Sequence, residues 1–100
     1  MKNLEAQIDI NVAYQQINSY IYRTPVEYCR QLSHNYGGDI FLKMECWQKT
    51  GSFKIRGALN KILSLTAREK SQGLITASAG NHGLGVAFVA DILNLKAQIV

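Results

Sequence analysis

Several features that mark particular protein classes are scarce in this sequence. Its two cysteines, Cys29 and Cys46, have no CxxC or Cys/His spacing, so we expect neither a disulfide framework nor a cysteine metal site. A single proline and eight glycines leave little room for a long linker. No apolar run approaches the length of a membrane span, and the N-terminus lacks the apolar core of a signal peptide. These absences predict a cytoplasmic protein with reduced thiols and no membrane partner.

Clustered charge is also absent. The chain carries eleven basic and seven acidic residues, a net charge of +4, and the basic residues are spread from Lys2 to Lys96 without a run of three. Proteins that bind nucleic acids usually gather their basic residues on one face or stripe. We therefore expect no nucleic-acid partner.

The hydrophobic content is that of a folded domain. With 47% hydrophobic and 18% charged residues, the 100-residue chain can form one modest core and carries too little charge for disorder. The last segment, 95–100 (LKAQIV), has the pattern of a strand that has just begun. We therefore expect residues 1–100 to form the N-terminal part of a larger domain that is incomplete at its C-terminus.

The spacing of apolar residues predicts an alternation of helices and strands. A strand, a helix and a second strand in succession near the end of the chain predict a parallel sheet, and hence an α/β fold. The periodicity predicts helices over about 9–19, 28–34 and 83–93, a helix that starts just before Lys54 with Ser52 as N-cap, a short polar helix or turn over 67–72, and strands over 40–44, 74–77 and 97–100.

Lys54 stands where a lysine can do chemistry. It follows a strand and a polar loop, and it lies in the first turn of a predicted helix, where the helix dipole disfavours an ammonium. The neutral amine is the form that condenses with an aldehyde. Phe53 can supply an apolar wall beside it. A solvent-facing lysine on an amphipathic helix has the same spacing, and from spacing alone that is the more common interpretation.

The segment 78–83 (SAGNHG) forms a second candidate site, because it joins a strand to the start of a helix. Free backbone N–H groups at a helix N-terminus point at any anion that enters, and ligands of open α/β sheets bind outside the carboxyl ends of the strands. A carboxylate or phosphate ligand is therefore plausible, and the Asn81 side chain can both donate and accept. A plain turn capped by Ser78 or Asn81 is an equally good interpretation of the spacing.

Two other kinds of site are poorly supported. Gly83-Leu84-Gly85 begins like a dinucleotide-binding fingerprint, but the third glycine position is Phe88. The chain has two histidines, His34 and His82, and they do not suffice for a metal site.

Three collinear segments resemble one enzyme family. The stretch TGSFKIRGALNKI at 50–62 resembles the lysine motif of the fold-type II enzymes that depend on pyridoxal 5'-phosphate (PLP). LITASAGNHGLGVAFVA at 74–90 resembles their asparagine loop, and RTPVEYCRQLS at 23–33 resembles their entry region. The most similar members are threonine dehydratases and serine racemases. The resemblance implies a partial three-layer parallel-sheet fold of the tryptophan synthase beta-like type, with residues 1–100 as the N-terminal part of the catalytic domain.

The resemblance also implies roles for individual residues. Lys54 would bind PLP covalently and move the α-proton of the substrate. Phe53 would lie against the pyridine ring, and Asn81 would hydrogen-bond the 3-oxygen of that ring. The substrate carboxylate would be held by the Ser78 hydroxyl and by the backbone of the loop that contains Ser78, Ala79, Gly80, Asn81 and His82.

One position bears on the type of reaction. Serine racemases have an acid/base serine one residue before their Gly-Asn-His, whereas this chain has Ala79. The resemblance therefore implies dehydration of threonine, and of serine as a second substrate, in a parent protein that forms a homo-oligomer. Serine racemisation and an inactive N-terminal fragment are the alternatives. Because the family's phosphate-binding loop normally lies downstream of Val100, we expect residues 1–100 alone to bind PLP weakly and to have no activity.

Overall fold

A computed structural model describes residues 9–100 of the chain. Within these residues helices and short strands alternate, and 3-10 turns occur at Asn18–Tyr20 and Glu45–Trp47. The elements are α1 (Ile10–Ile17), β1 (Val26–Tyr28), α2 (Arg30–Tyr36), β2 (Phe41–Lys43), α3 (Lys54–Ser64), α4 (Ala67–Gln72), β3 (Leu74–Thr76), α5 (Asn81–Ile92) and β4 (Ala97–Ile99).

Local side-chain chemistry sets several helix ends. The Asp9 carboxylate accepts the Val12 N–H at 3.0 Å and starts α1. Thr66 and Glu69 form a capping box at the start of α4. Helix α2 ends at Gly37, which takes a left-handed conformation with φ 70°. The predicted Ser52 cap is wrong: Phe53 is the N-cap residue of α3, and Ser52 Oγ accepts only a long bond of 3.4 Å from the Lys54 N–H.

The strands form two separate pairs. Strands β3 and β4 are parallel, with Leu74 opposite Ala97 and Thr76 opposite Ile99, which confirms the predicted strand–helix–strand unit. Strands β1 and β2 are antiparallel, from the Val26–Lys43 pair to the Tyr28–Phe41 pair. Strand β1 was not expected from the sequence, and α2 begins at Arg30 instead of residue 28.

The core lies where α3 meets α5, with α1 on the other side of α3. Ile55 and Leu59 of α3 and Val89 of α5 are all 0% exposed. We call this contact the α3–α5 junction; its buried apolar members are Ile55, Ala58, Leu59, Ile62, Val86 and Val89. Because burial of apolar surface is the main favourable term in folding, the junction fixes how the starts of α3 and α5 lie relative to each other.

The described part of the chain shows neither a membrane-spanning helix nor a cluster of metal ligands. Over residues 9–100, no helix has the length and apolar character to cross a membrane. Over the same residues, no three histidine, cysteine, aspartate or glutamate side chains come together as a metal site.

Candidate active site

Lys54 is the first residue of α3, and its side chain is exposed. Its Nζ lies 5.6 Å from the centroid of the Phe53 ring, so the amine stands beside an aromatic face. Phe53 itself is 60% exposed. The structure therefore places Phe53 and Lys54 together on an accessible surface at the start of the helix, as the sequence predicted.

The loop that leads into Lys54 is held by the Gln48 side chain, which is only 4% exposed. Its Oε1 accepts the Tyr22 N–H at 2.9 Å, and its Nε2 donates to the Tyr22 carbonyl oxygen at 2.9 Å. The loop then turns through Gly51, which has φ 76° and donates its N–H to the Gln48 carbonyl oxygen at 2.8 Å. Gln48 thus fixes the path of the chain before the candidate lysine.

A second polar contact joins this loop to α3. Arg56 Nη2 donates to Glu45 Oε1 at 2.6 Å, and the same oxygen accepts the Thr24 hydroxyl at 2.8 Å. The hydrogen bond from Arg56 lowers the pKa of Glu45, burial opposes this, and the Thr24 hydroxyl adds to the lowering. We call Thr24, Glu45, Gln48 and Arg56 the polar clamp. Sequence reasoning missed it, because its hydrogen bonds join residues 11 to 26 positions apart and follow no helical or strand period.

The second predicted site begins α5. Asn81 is the first residue of this helix and His82 the second, so both lie inside a helix that the sequence placed from 83. Gly80 is the N-cap residue, and within residues 9–100 no side chain caps the helix. The backbone N–H groups of the first turn have no partner inside the helix and are directed toward any anion that binds there.

The start of the loop is tied to the sheet. The Ser78 N–H donates to the Val100 carbonyl oxygen at 3.1 Å, and Ser78 Oγ accepts the Gly80 N–H at 3.2 Å. Two of the polar groups expected to face a carboxylate are therefore engaged within the chain. The exposed residues Ala79, Gly80 and Asn81 follow at the surface.

Gly85 brings the two sites to the same end of the molecule. A Cβ atom on Gly85 would lie 3.3 Å from the Lys54 carbonyl carbon and 3.4 Å from the Ile55 nitrogen, so α5 touches the backbone at the very start of α3. Asn81 lies four residues before Gly85, on the same face of α5 and one turn further out. Asn81 therefore lies one helical turn from the point where α5 touches the backbone of Lys54.

The nucleotide-binding alternative loses its basis in this geometry. Gly83 and Gly85 lie inside α5, and not in the turn before it where a phosphate-binding glycine pair is needed. Each glycine has a packing role: a Cβ atom on Gly83 would lie 3.0 Å from Ile99 Cγ2 and 3.3 Å from Ser78 Cβ. His82 lines a separate cavity of about 350 Å³ between α3, α4, β3 and α5, which neither Lys54 nor Asn81 reaches.

A lysine at the start of one helix, an asparagine at the start of its neighbour and a parallel strand pair behind them define a class of α/β enzyme site. The family model for pyridoxal-phosphate dependent enzymes matches residues 17–100, and the chain belongs to this family. The predicted family and fold are confirmed.

Curated relatives narrow the comparison to one group. The chain is 50% identical to the L-threonine ammonia-lyase of Thermotoga maritima over 92 residues, which are 92% of this chain and 23% of that protein. It is also 50% identical to the catabolic L-threonine dehydratase TdcB of Staphylococcus aureus over 93 residues, 92% of this chain and 27% of that protein. The chain thus spans about a quarter of the length of these relatives.

Solved structures agree on the fold. Maize serine racemase superposes with a TM-score of 0.83 at 41% identity, covering 90% of this chain and 28% of the racemase chain. The T.th. threonine deaminase superposes with a TM-score of 0.76 at 45% identity, covering 90% of this chain and 31% of the deaminase chain. Both neighbours match most of this chain, so its fold is that of a part, rather less than a third, of such an enzyme.

Proposed function

We propose that the protein is a PLP-dependent lyase that converts L-threonine, and L-serine as a second substrate, into the 2-oxo acid and ammonia. The observation that carries the proposal is the contact at Gly85, which joins α5, one turn from Asn81, to the backbone of Lys54 at the start of α3. High identity to threonine ammonia-lyases and dehydratases supports the substrate class.

The residues present fit PLP. An exposed primary amine suits its aldehyde, the Phe53 ring beside that amine suits the pyridine ring, and the Asn81 carboxamide suits the 3-oxygen. When bound, PLP acts as an electron sink for the charge left by removal of the α-proton. We assign covalent attachment and movement of the α-proton to Lys54.

The first turn of α5 is assigned to the substrate carboxylate. The helix lacks a side-chain cap within residues 9–100, and an anion at such an N-terminus is stabilised by the N–H groups and by the helix dipole. We assign this role to the backbone of 78–82, and to the Ser78 hydroxyl once it turns from Gly80 toward the ligand.

The chemistry of dehydration balances without another reagent. The α-proton and the β-hydroxyl leave threonine together as water, and the released product takes up one water and loses ammonia to give 2-oxobutanoate. Racemisation needs a proton donor on the opposite face of the substrate, and Ala79 has none to give. For this reason we favour dehydration over the serine racemase alternative.

The cellular setting belongs to the same proposal. We place the enzyme in the cytoplasm as a homo-oligomer. The relatives include a biosynthetic L-threonine dehydratase of Corynebacterium glutamicum, 45% identical, as well as catabolic enzymes, so a role in isoleucine biosynthesis and a degradative role both fit.

Borohydride reduction of the full-length protein from its source tests the proposal. We expect one pyridoxyl group on Lys54 by peptide mass, and release of 2-oxobutanoate from threonine that Lys54→Ala abolishes. The control is Lys61→Ala, which removes an exposed lysine two turns along the same helix and should keep both signals. A pyridoxyl group on another lysine, or D-serine formed from L-serine without pyruvate, would contradict the proposal.

A further inference from the structure

We propose that Gly85 is a positioning residue whose missing side chain sets the distance between Lys54 and Asn81. The inference rests on the proposed function, because it concerns the same two side chains. It extends that function to a residue that touches neither cofactor nor substrate.

The contact at Gly85 is backbone against helix. A Cβ atom there would lie 3.3 Å from the Lys54 carbonyl carbon, 3.4 Å from the Lys54 carbonyl oxygen and 3.4 Å from the Ile55 nitrogen. All three are main-chain atoms in the first turn of α3, so no side chain can rotate to make room. A methyl group at this point forces α3 and α5 apart by a few tenths of an ångström.

A glycine inside a helix is less favourable than alanine, so its presence needs a compensating gain. Gly57, inside α3, shows the opposite situation, because a Cβ atom there would meet nothing within 4 Å among the described residues. At Gly85 the compensating gain is the close approach of α5 to the backbone of Lys54. It is also local, because Leu59 and Val89, two central members of the α3–α5 junction, lie about one turn further along each helix.

The first turn of α5 connects the contact at Gly85 to the side chains assigned to the reaction. Asn81 lies one helical turn beyond Gly85 on the same face of α5, and Lys54 is the residue whose backbone Gly85 touches. Any displacement at Gly85 therefore moves the Asn81 carboxamide relative to the Lys54 amine. Reacting groups are sensitive to such shifts, since a misplacement of about 1 Å can cost on the order of a hundredfold in rate.

The experiment compares Gly85→Ala with Gly57→Ala in the full-length holoenzyme. For Gly85→Ala we expect kcat to fall roughly tenfold, KM to change much less, and the absorbance spectrum of the bound cofactor to shift. In the apoprotein, the rate at which an amine-selective reagent modifies Lys54 should change too. Gly57→Ala should leave all four quantities near wild type.

The outcomes separate this inference from the function on which it rests. A wild-type enzyme without a pyridoxyl group on Lys54 would contradict both the proposed function and the positioning role of Gly85. A labelled and active wild type, with Gly85→Ala indistinguishable from Gly57→Ala in kcat, spectrum and Lys54 reactivity, would overturn the positioning role alone.

A second variant tests the inference in case Gly85→Ala alone folds poorly. The double variant Gly57→Ala/Gly85→Ala gains the helix propensity of the first substitution, which offsets part of the steric cost of the second. Its kcat must fall against Gly57→Ala by the same factor as that of Gly85→Ala against wild type. If neither variant with alanine at 85 folds, the displacement exceeds a few tenths of an ångström and the proposal is wrong.

Discussion

Two regions meet at Lys54, and they are held together by different forces. On the N-terminal side, the polar clamp fixes the loop with hydrogen bonds and one ion pair, such as the 2.6 Å contact between Arg56 and Glu45. On the other side, the α3–α5 junction has no polar member and relies on close packing, with Leu59 and Val89 0% exposed. Polar contacts thus set the direction of the chain into the site, whereas apolar packing sets the separation of its two helices.

Removing apolar bulk from the junction should have the largest effect on stability. We expect Leu59→Ala to lower the free energy of unfolding by about 2–5 kcal/mol, because it leaves a cavity in the middle of the core. Denaturant unfolding of the apoprotein, with the slope checked for constancy, measures this change. The neighbouring exposed residue gives the control: Asn60→Ala should change stability by less than about 0.5 kcal/mol. Equal values for the two variants would mean that the core lies elsewhere.

Breaking the polar clamp should cost less. The side chains of Arg56 and Glu45 are 27% and 13% exposed, so Arg56→Met leaves a partly solvated carboxylate and should cost roughly 1–3 kcal/mol. A double-mutant cycle with Glu45→Gln isolates the pair, and we expect a coupling energy above about 0.5 kcal/mol. Arg68→Met, at an exposed arginine on α4, serves as the control. A coupling energy of zero would remove the ion pair from the list of forces that hold the loop.

Acid should weaken the polar clamp without affecting the junction, and this is the smallest effect. The hydrogen bond from Arg56 holds the pKa of Glu45 below its usual 4.5 in the folded state. At a pH between the lowered pKa of the folded state and the usual pKa of the unfolded state, the unfolded chain binds more protons than the folded chain. The stability that Glu45 contributes is therefore complete above about pH 5 and is lost as pH falls through the folded-state pKa. The slope of unfolding free energy against pH should therefore be shallower in Glu45→Gln than in wild type.

Glu69 also contributes to the pH dependence of the unfolding free energy, and a comparison at low and high salt separates exposed from partly buried charges. The backbone and side chain of Thr66 lower the pKa of this fully exposed carboxyl, so Glu69 titrates over the same acid range. Exposed charges are screened more strongly than partly buried ones. Glu69 is present in both proteins, so its contribution cancels in the difference between wild type and Glu45→Gln. That difference should persist in high salt, and its loss there would mean that the contact between Glu45 and Arg56 is screened like a surface ion pair.

The sequence predicted the apolar half of this comparison well. Helix α3 and strand β3 follow from runs of apolar residues with a clear period, and the motifs around Lys54 and Asn81 mark the two ends that meet. The start of α5 was placed two residues late because Asn81 and His82 are polar, so the apolar pattern begins only after them. Strand β1 is not predicted because it is three residues long and all three residues are exposed, which leaves no alternation to detect.

The polar half could not be read in advance. The bond from Thr24 to Glu45 joins residues 21 apart, and those between Gln48 and Tyr22 join residues 26 apart. No local rule of spacing links such pairs. They come into contact only when β1 and β2 pair as antiparallel strands around helix α2. The same holds for Gly85, whose value as a glycine depends on the Lys54 backbone that happens to face it.

The way Gln48 grips Tyr22 has a consequence for which substitutions each position can accept. The buried carboxamide bonds the main-chain N–H and carbonyl groups of residue 22, and its oxygen also accepts the N–H of the next residue, Lys49, at 3.1 Å, while the Tyr22 side chain is 56% exposed. Position 22 should therefore accept almost any residue except proline, which has no N–H to give. Position 48 should accept almost nothing else, since glutamate cannot donate and asparagine is one methylene too short. The two ends of a single contact thus differ in their freedom to vary.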